Sequence, residues 1–145
     1  MLWVLRVKII ARRDAEARRR MIENEITGEI VDAAYKVHVS LGPGLLESVY
    51  ETVLDVELRR RKLQVRRQVL IPVMYEGIRL DEGFRADLIV EDKVIVELKS
   101  VETVHPVHHK QLLTYLRLAD KRVGLLINFN VSLIKEGISR VVNKL

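Results

Sequence analysis

Two carboxylates and a lysine lie close together in the segment from Asp87 to Lys99, where two apolar runs flank a short polar break. The second run ends in Glu97-Leu98-Lys99. Because side chains alternate along a strand, Glu97 and Lys99 are predicted to share one face. If the two runs pair as a hairpin, Asp87 joins them at one end of a small sheet. Such a group is suited to holding a hard divalent cation beside a phosphodiester.

The elements that must position this group can be predicted from periodicity and turn residues. Helical spacing predicts a helix over Glu25–Val39, a Gly-Pro-Gly break follows it, and a second helix is predicted from Leu45 to about Arg61. Pro72 favours an edge position for the first strand. A third helix is predicted from Pro106 to about Leu118. The predicted strands are Val65–Tyr75, Ile78–Leu80, Phe84–Val90, Val94–Leu98, Val123–Asn128 and Ile138–Val142, with a turn of helix or a loop over Ser132–Lys135.

Composition predicts a basic N-terminal extension over residues 1–20 and a single domain over residues 21–145. The first 20 residues contain seven basic and two acidic groups, whereas the remainder contains 18 of each, so the body is neutral on average. Nucleic-acid binding would therefore depend on local patches. An alternative for the N-terminus is an edge strand over Leu2–Ile10, followed by a basic helical turn.

The absence of cysteine excludes disulfides, thiolate zinc sites and a cysteine nucleophile, and it favours a cytoplasmic protein. No apolar run approaches the length of a membrane span, so no membrane association is expected.

The order of these elements, with Asp87 and Glu97-Leu-Lys99 on adjacent strands, resembles the PD-(D/E)XK nuclease superfamily, and in particular its RecB-like branch. Within it, the segment Gly44-Leu-Leu-Glu47-Ser-Val-Tyr50 resembles the signature of the GxxExxY protein family. The resemblance covers residues from about 25 to 143. It implies an α/β restriction-endonuclease-like core, with a mixed central sheet of four to five strands flanked by helices.

The resemblance also implies a role for each matching residue. Asp87 and Glu97 would be direct metal ligands, helped by the Leu98 carbonyl. Glu47 would add a ligand directly or through water. Lys99 would orient the attacking water, lower its pKa or stabilise the developing negative charge.

Further residues are expected around this group. Gln111 and Tyr115 match the Gln-x-x-x-Tyr feature of the RecB-like branch and would line the site, and Tyr50 would support it. His105 is expected to cap or line the mouth of the carboxylate site, since a zinc site built from it and other histidines is not favoured. Ala86 stands where the superfamily pattern has a proline.

The expected function is metal-dependent hydrolysis of DNA, with Mg²⁺ or Mn²⁺ as the cofactor. The alternative is a binding or accessory module that keeps the nuclease fold and acts through a nucleic-acid or protein partner. A homodimer would supply the substrate-binding surface that a small neutral body lacks. RNA as the substrate is a third and weaker interpretation, since no element that reads the 2′-OH is recognisable.

Two other features allow more than one interpretation. The basic stretch Arg59-Arg-Arg-Lys62 with Arg66-Arg67 is either a phosphate-tracking patch or an ordinary helix end with a polar turn. Glu51 is expected to be a surface residue of the second helix. A solvated pair of Glu97 and Lys99 is the alternative to a metal site, and it is favoured only when the two residues are considered alone.

Overall fold

The body of the protein is a five-stranded sheet with helices packed on both faces. The computed structural model describes residues 2–8 and 21–144. Residues 2–8 are helical (α1). The other elements are α2 (Glu23–Leu41), α3 (Glu47–Arg60), β1 (Val65–Tyr75), β2 (Ile78–Val90), β3 (Val94–Lys99), α4 (Pro106–Ala119), β4 (Val123–Asn128), α5 (Ile134–Gly137) and β5 (Ile138–Val142).

The sheet is mixed, as predicted, and its strand order is β1-β2-β3-β4-β5. The first three strands form an antiparallel meander, β4 lies parallel to β3, and β5 is antiparallel to β4. A parallel neighbour requires a crossover connection, which α4 provides between β3 and β4. Pro72 lies in β1 at the edge of the sheet, as its missing N–H requires.

The β1–β2 hairpin differs from the prediction of two short strands, because β2 runs without a break from Ile78 to Val90. Gly83 explains the continuity. A Cβ at this position would lie 2.0 Å from the Ile71 carbonyl oxygen, so only glycine allows the two backbones to approach. The register of the β1–β2 pairing shifts between Ile71 and Val73, which marks a bulge or a similar irregularity in β1.

The alternation of β3 divides the core into two layers. Val94, Val96 and Leu98 belong to the buried cluster that includes α2 and α3, whereas Ile95 belongs to the cluster on the α4 side. Glu97 and Lys99 follow Ile95 at intervals of two residues, so they lie on the α4 side as well.

The N-terminal predictions fall mostly outside the described residues. Residues 2–8 are helical and exposed, which rules out a strand over that stretch. The predicted role of residues 1–20 as a basic extension therefore stays a prediction. No helix within residues 2–8 or 21–144 is long and apolar enough to cross a membrane.

Candidate active site

Asp87 and Glu97 are neighbours at the end of the β2–β3 pairing. Leu88 pairs with Val96 in the antiparallel ladder, and the next step outward brings the two acidic residues together. The Asp87 backbone N–H donates to Glu97 Oε1 at 3.2 Å. Asp87 Oδ2 accepts from the Leu98 backbone N–H at 2.8 Å, which ties this carboxylate to β3. The predicted hairpin geometry is present.

Burial of this pair disfavours two negative charges side by side. Burial and the charge of Asp87 together raise the pKa of Glu97 to about 8. The pKa of Asp87 is also raised, chiefly by burial and further by the charge of Glu51, while the Leu98 N–H opposes the shift. Burial and the neighbouring Asp87 therefore favour the protonated form of Glu97 in the metal-free protein, while the charge of Lys99 opposes this.

On the α4 side, Glu97 and Lys99 line a small cavity with Gln111 and Tyr115. Its volume is about 20 Å³, room for roughly one water molecule. Gln111 and Tyr115 are four residues apart on α4, so they share one helix face. Burial raises the pKa of Tyr115, and the charges of Glu97 and Asp87 add to the shift.

Glu47 lies on the other side of this pair, at the first residue of α3. With Asp87 and Leu98 it lines a second cavity of about 190 Å³. Its Oε1 accepts from the Ser100 backbone N–H at 3.3 Å, directly after β3. Among residues 2–8 and 21–144, no three histidine or acidic side chains are arranged to hold a metal ion. Asp87 and Glu97 therefore form a pair of adjacent carboxylates, and Glu47 does not complete a three-carboxylate metal site with them.

The domain that contains these residues matches a known protein family. A family model of the PD-(D/E)XK nuclease superfamily matches residues 24–141 of the chain. The chain belongs to the PD-(D/E)XK nuclease superfamily. The five-stranded mixed sheet with its flanking helices is accordingly a restriction-endonuclease-like fold. Comparisons with curated proteins and with solved structures gave no significant match. Membership of the narrower GxxExxY family stays a prediction.

Tyr50 occupies a different place from that expected of a residue that contacts substrate. Its side chain is fully buried and stacks on Phe129, with ring centroids 4.4 Å apart. The Tyr50 hydroxyl donates to the Gly42 carbonyl at 2.5 Å and accepts from the Leu45 N–H at 3.2 Å. In this PD-(D/E)XK domain, Tyr50 thus holds the loop that leads into α3, and its support for the site acts through that loop.

We expect Tyr50→Phe to destabilise the protein by about 0.5–1.5 kcal/mol, because the part-buried hydrogen bonds of this hydroxyl to the Gly42 carbonyl and from the Leu45 N–H are lost. Urea unfolding measures the change. Tyr35→Phe is the matched control, since Tyr35 is 60% exposed and should tolerate the loss of its hydroxyl. Equal free energies of unfolding for Tyr50→Phe and the wild-type protein would refute the structural role of this hydroxyl.

The histidines differ in their placement. His105 occupies the N-cap position of α4, but its side chain makes no capping hydrogen bond and it lines neither of the two cavities. The expected place of His105 at the mouth of the site stays a prediction. His108 lines the smaller cavity, and its Nδ1 is buried without a hydrogen-bond partner within the described part of the chain.

Glu51 is not the surface residue that the sequence predicted. It is buried, and it lines the larger cavity together with Glu47, Gln68 and Asp87. Its helical spacing from Glu47 puts both on one face of α3, and this was the one signal in the sequence that could have located it.

Asn128 fixes the chain that leaves Lys99. It is buried at the end of β4, where its Nδ2 donates to the Val101 carbonyl at 2.9 Å and its Oδ1 accepts from the Val101 N–H at 3.1 Å. The Phe129 N–H donates to the Lys99 carbonyl at 2.9 Å. Asn128 and Phe129 therefore hold the end of β3 in place, a role that the apolar composition of this strand does not reveal.

The basic stretch after α3 is mostly engaged with acidic side chains. Such pairing lowers the positive potential that a phosphate backbone would encounter, which favours the helix-end interpretation. The ion pairs are Arg59 with Asp55 at 2.7 Å, Arg61 with Asp32 at 2.6 Å, Arg66 with Asp92 at 2.7 Å and Arg67 with Glu51 at 2.8 Å.

Proposed function

We propose that this protein hydrolyses phosphodiester bonds in DNA with Mg²⁺ or Mn²⁺ as cofactor. Membership of the PD-(D/E)XK superfamily indicates a nuclease-type function, and its nucleases generally use divalent metals. The observation that carries the proposal is the half-buried pair of Asp87 and Glu97, with Lys99 on the same strand as Glu97. The raised pKa values of the two carboxyl groups mark a place where a cation would relieve repulsion.

The donor set fits a hard cation. Mg²⁺ in proteins is usually held by one or two carboxylates and completes its shell with water and substrate phosphate oxygens, so a third carboxylate is not required. Asp87 and Glu97 would be the ligands, with the Leu98 carbonyl, and Glu47 would contribute through water. When bound, the metal stabilises negative charge and makes water a competent nucleophile near neutral pH.

The remaining side chains act on the substrate. Lys99 offers a compact ammonium beside Glu97, which suits a phosphate oxygen or the orientation of the attacking water. Gln111 is exposed at the rim of the smaller cavity and would donate to the substrate backbone. The Tyr115 ring packs at a tilt against Phe84, with ring centroids 4.6 Å apart, and this contact restrains the side chain where it lines the smaller cavity.

Cleavage of defined nucleic acids tests this function. The purified protein is incubated with supercoiled plasmid, a labelled DNA duplex, single-stranded DNA and RNA, each with Mg²⁺, Mn²⁺ or EDTA. We expect metal-dependent cleavage of DNA and none in EDTA. Cleavage of RNA alone would correct the substrate, and cleavage that persists in EDTA would contradict the metal-dependent mechanism.

Metal affinity should increase with pH. Because Glu97 must lose its proton to bind a cation, we expect Mn²⁺ affinity to rise about tenfold per pH unit below pH 8 and to level off above it. Isothermal titration calorimetry at several pH values measures this directly. In Glu97→Gln this pH dependence should be lost together with most of the affinity. A wild-type affinity that does not vary with pH would contradict the role of Glu97 as a ligand.

The alternative function is a binding or accessory module without its own catalysis. The separation of Glu47 from the carboxylate pair and the neutralised basic stretch favour it, because both weaken a self-sufficient nuclease. A homodimer would restore the missing substrate surface, and sedimentation of the full chain tests this. DNA binding without cleavage in either metal would support the module. A cytoplasmic location stays a prediction.

A further inference from the structure

Gln68 adopts a backbone conformation that side-chain-bearing residues rarely adopt. Its φ is 49°, in the left-handed region, although it lies inside β1. The ladder with β2 continues on both sides, with Arg67 opposite Leu88 and Val69 opposite Ala86. The Arg85 guanidinium donates to the Gln68 carbonyl at 3.3 Å. Backbone strain of this kind persists only where the surrounding structure holds it, and it is often found at functional sites.

The strained residue places its amide group between two carboxylates. Gln68 Nε2 lies 2.5 Å from Glu51 Oε1 and 3.2 Å from Asp87 Oδ1. An amide nitrogen has two N–H donors, so both contacts are satisfied at once. Gln68 is itself exposed, and its amide reaches inward from the rim of the larger cavity.

Glu51 is held in turn by Arg67. Arg67 Nη2 donates to Glu51 Oε2 at 2.8 Å, and its Nε lies 3.2 Å from the same oxygen. The Glu51 side chain is only 10% exposed, so this pairing is shielded from water more than a surface ion pair is. With one oxygen committed to Arg67, Glu51 presents the other to the Gln68 amide and fixes its orientation.

We propose that Gln68 is a positioning residue that orients Asp87 for divalent-metal binding, with Arg67 and Glu51 as its anchor. This proposal rests on the proposed function. The Leu98 N–H and the Gln68 amide each use one lone pair of a different Asp87 oxygen, and the remaining lone pairs are left for a cation. Partners that hold a ligating carboxylate in this way typically change metal affinity by about 10–100-fold.

Gln68→Gly separates positioning from folding. Glycine favours the left-handed conformation, so the variant removes the amide while relieving strain, and its thermal stability should equal or exceed that of the wild type. Mn²⁺ titrated calorimetrically should bind about tenfold more weakly. Gln68→Asn also tolerates this conformation, but its shorter amide cannot bridge both carboxylates, so it should lose affinity as well. Gln64→Ala is the control: Gln64 lines neither of the two cavities, so this variant should bind Mn²⁺ as the wild type does.

The results distinguish this proposal from the function on which it rests. Mn²⁺ binding by the wild type and tenfold weaker binding by stable Gln68→Gly support the positioning role. Equal binding by wild type and Gln68→Gly overturns that role and leaves the proposed function intact. If the wild type binds no Mn²⁺ and cleaves no DNA, both fail.

Discussion

Replacing Lys99 by alanine should reduce metal-dependent DNA cleavage by about 10²–10³-fold, the size of effect seen when one group that stabilises transition-state charge is removed. The loss should fall on the rate constant under saturating metal, because Lys99 is proposed to act on the phosphate and the attacking water. Single-turnover cleavage of a labelled duplex at saturating Mg²⁺ measures it. Mn²⁺ affinity should change little, since Lys99 is not a ligand.

Lys135→Ala is the matched control for this variant. Lys135 is exposed on α5, which packs on the α2 side of the sheet. Its removal should leave the cleavage rate unchanged. Full activity of a folded Lys99→Ala protein would contradict the assignment of Lys99, and a parallel loss in Lys135→Ala would indicate a general effect of lysine removal.

Glu97→Gln should stabilise the metal-free protein even though it abolishes cleavage. Glutamine keeps the shape of the side chain and removes the charge that opposes Asp87. We expect a gain on the order of 2 kcal/mol above pH 8, which for a domain of this size raises Tm by roughly 4–8 °C. Thermal unfolding in EDTA measures the gain.

The sign of the pH dependence follows from the direction of the shift. The folded protein holds the Glu97 proton more tightly than the unfolded chain does, because the pKa rises from 4.5 to about 8. The free energy of unfolding therefore falls as pH increases between these values. The free energy of unfolding of Glu97→Gln should not fall in this way, so its stability advantage over the wild type should vanish near pH 4. Glu82→Gln is the control, because Glu82 is an exposed strand residue, and it should show neither the gain in stability nor the change in pH dependence. A Glu97→Gln protein less stable than the wild type would contradict the proposed repulsion between Asp87 and Glu97.

The position of Asp87 beside Glu97 could be predicted because local rules determine it. The two apolar runs are separated by a short turn, and Glu91 and Asp92 both adopt the left-handed conformation there, so the hairpin sets its own register. The helix face of Gln111 and Tyr115 follows equally from their spacing of four residues. The sequence therefore indicated both walls of the smaller cavity.

The surroundings of Glu51 could not be predicted, because they depend on contacts between distant segments. The left-handed conformation of Gln68 leaves no signature in the sequence of β1, and it brings Gln68 and Arg67 to α3. The direction of the Tyr50 side chain could not be predicted for a related reason. A tyrosine on an amphipathic helix can point its hydroxyl outward or, as here, back to its own loop at Gly42.

The central claim is that Asp87 and Glu97 together hold a divalent metal. Crystals of the wild-type protein soaked in Mn²⁺ at about pH 8 test it most directly, through the anomalous signal of manganese. The account predicts an anomalous peak roughly 2.0–2.2 Å from a carboxylate oxygen of each residue, with Lys99 nearby. A peak elsewhere, or none between these carboxylates at saturating Mn²⁺, would contradict it.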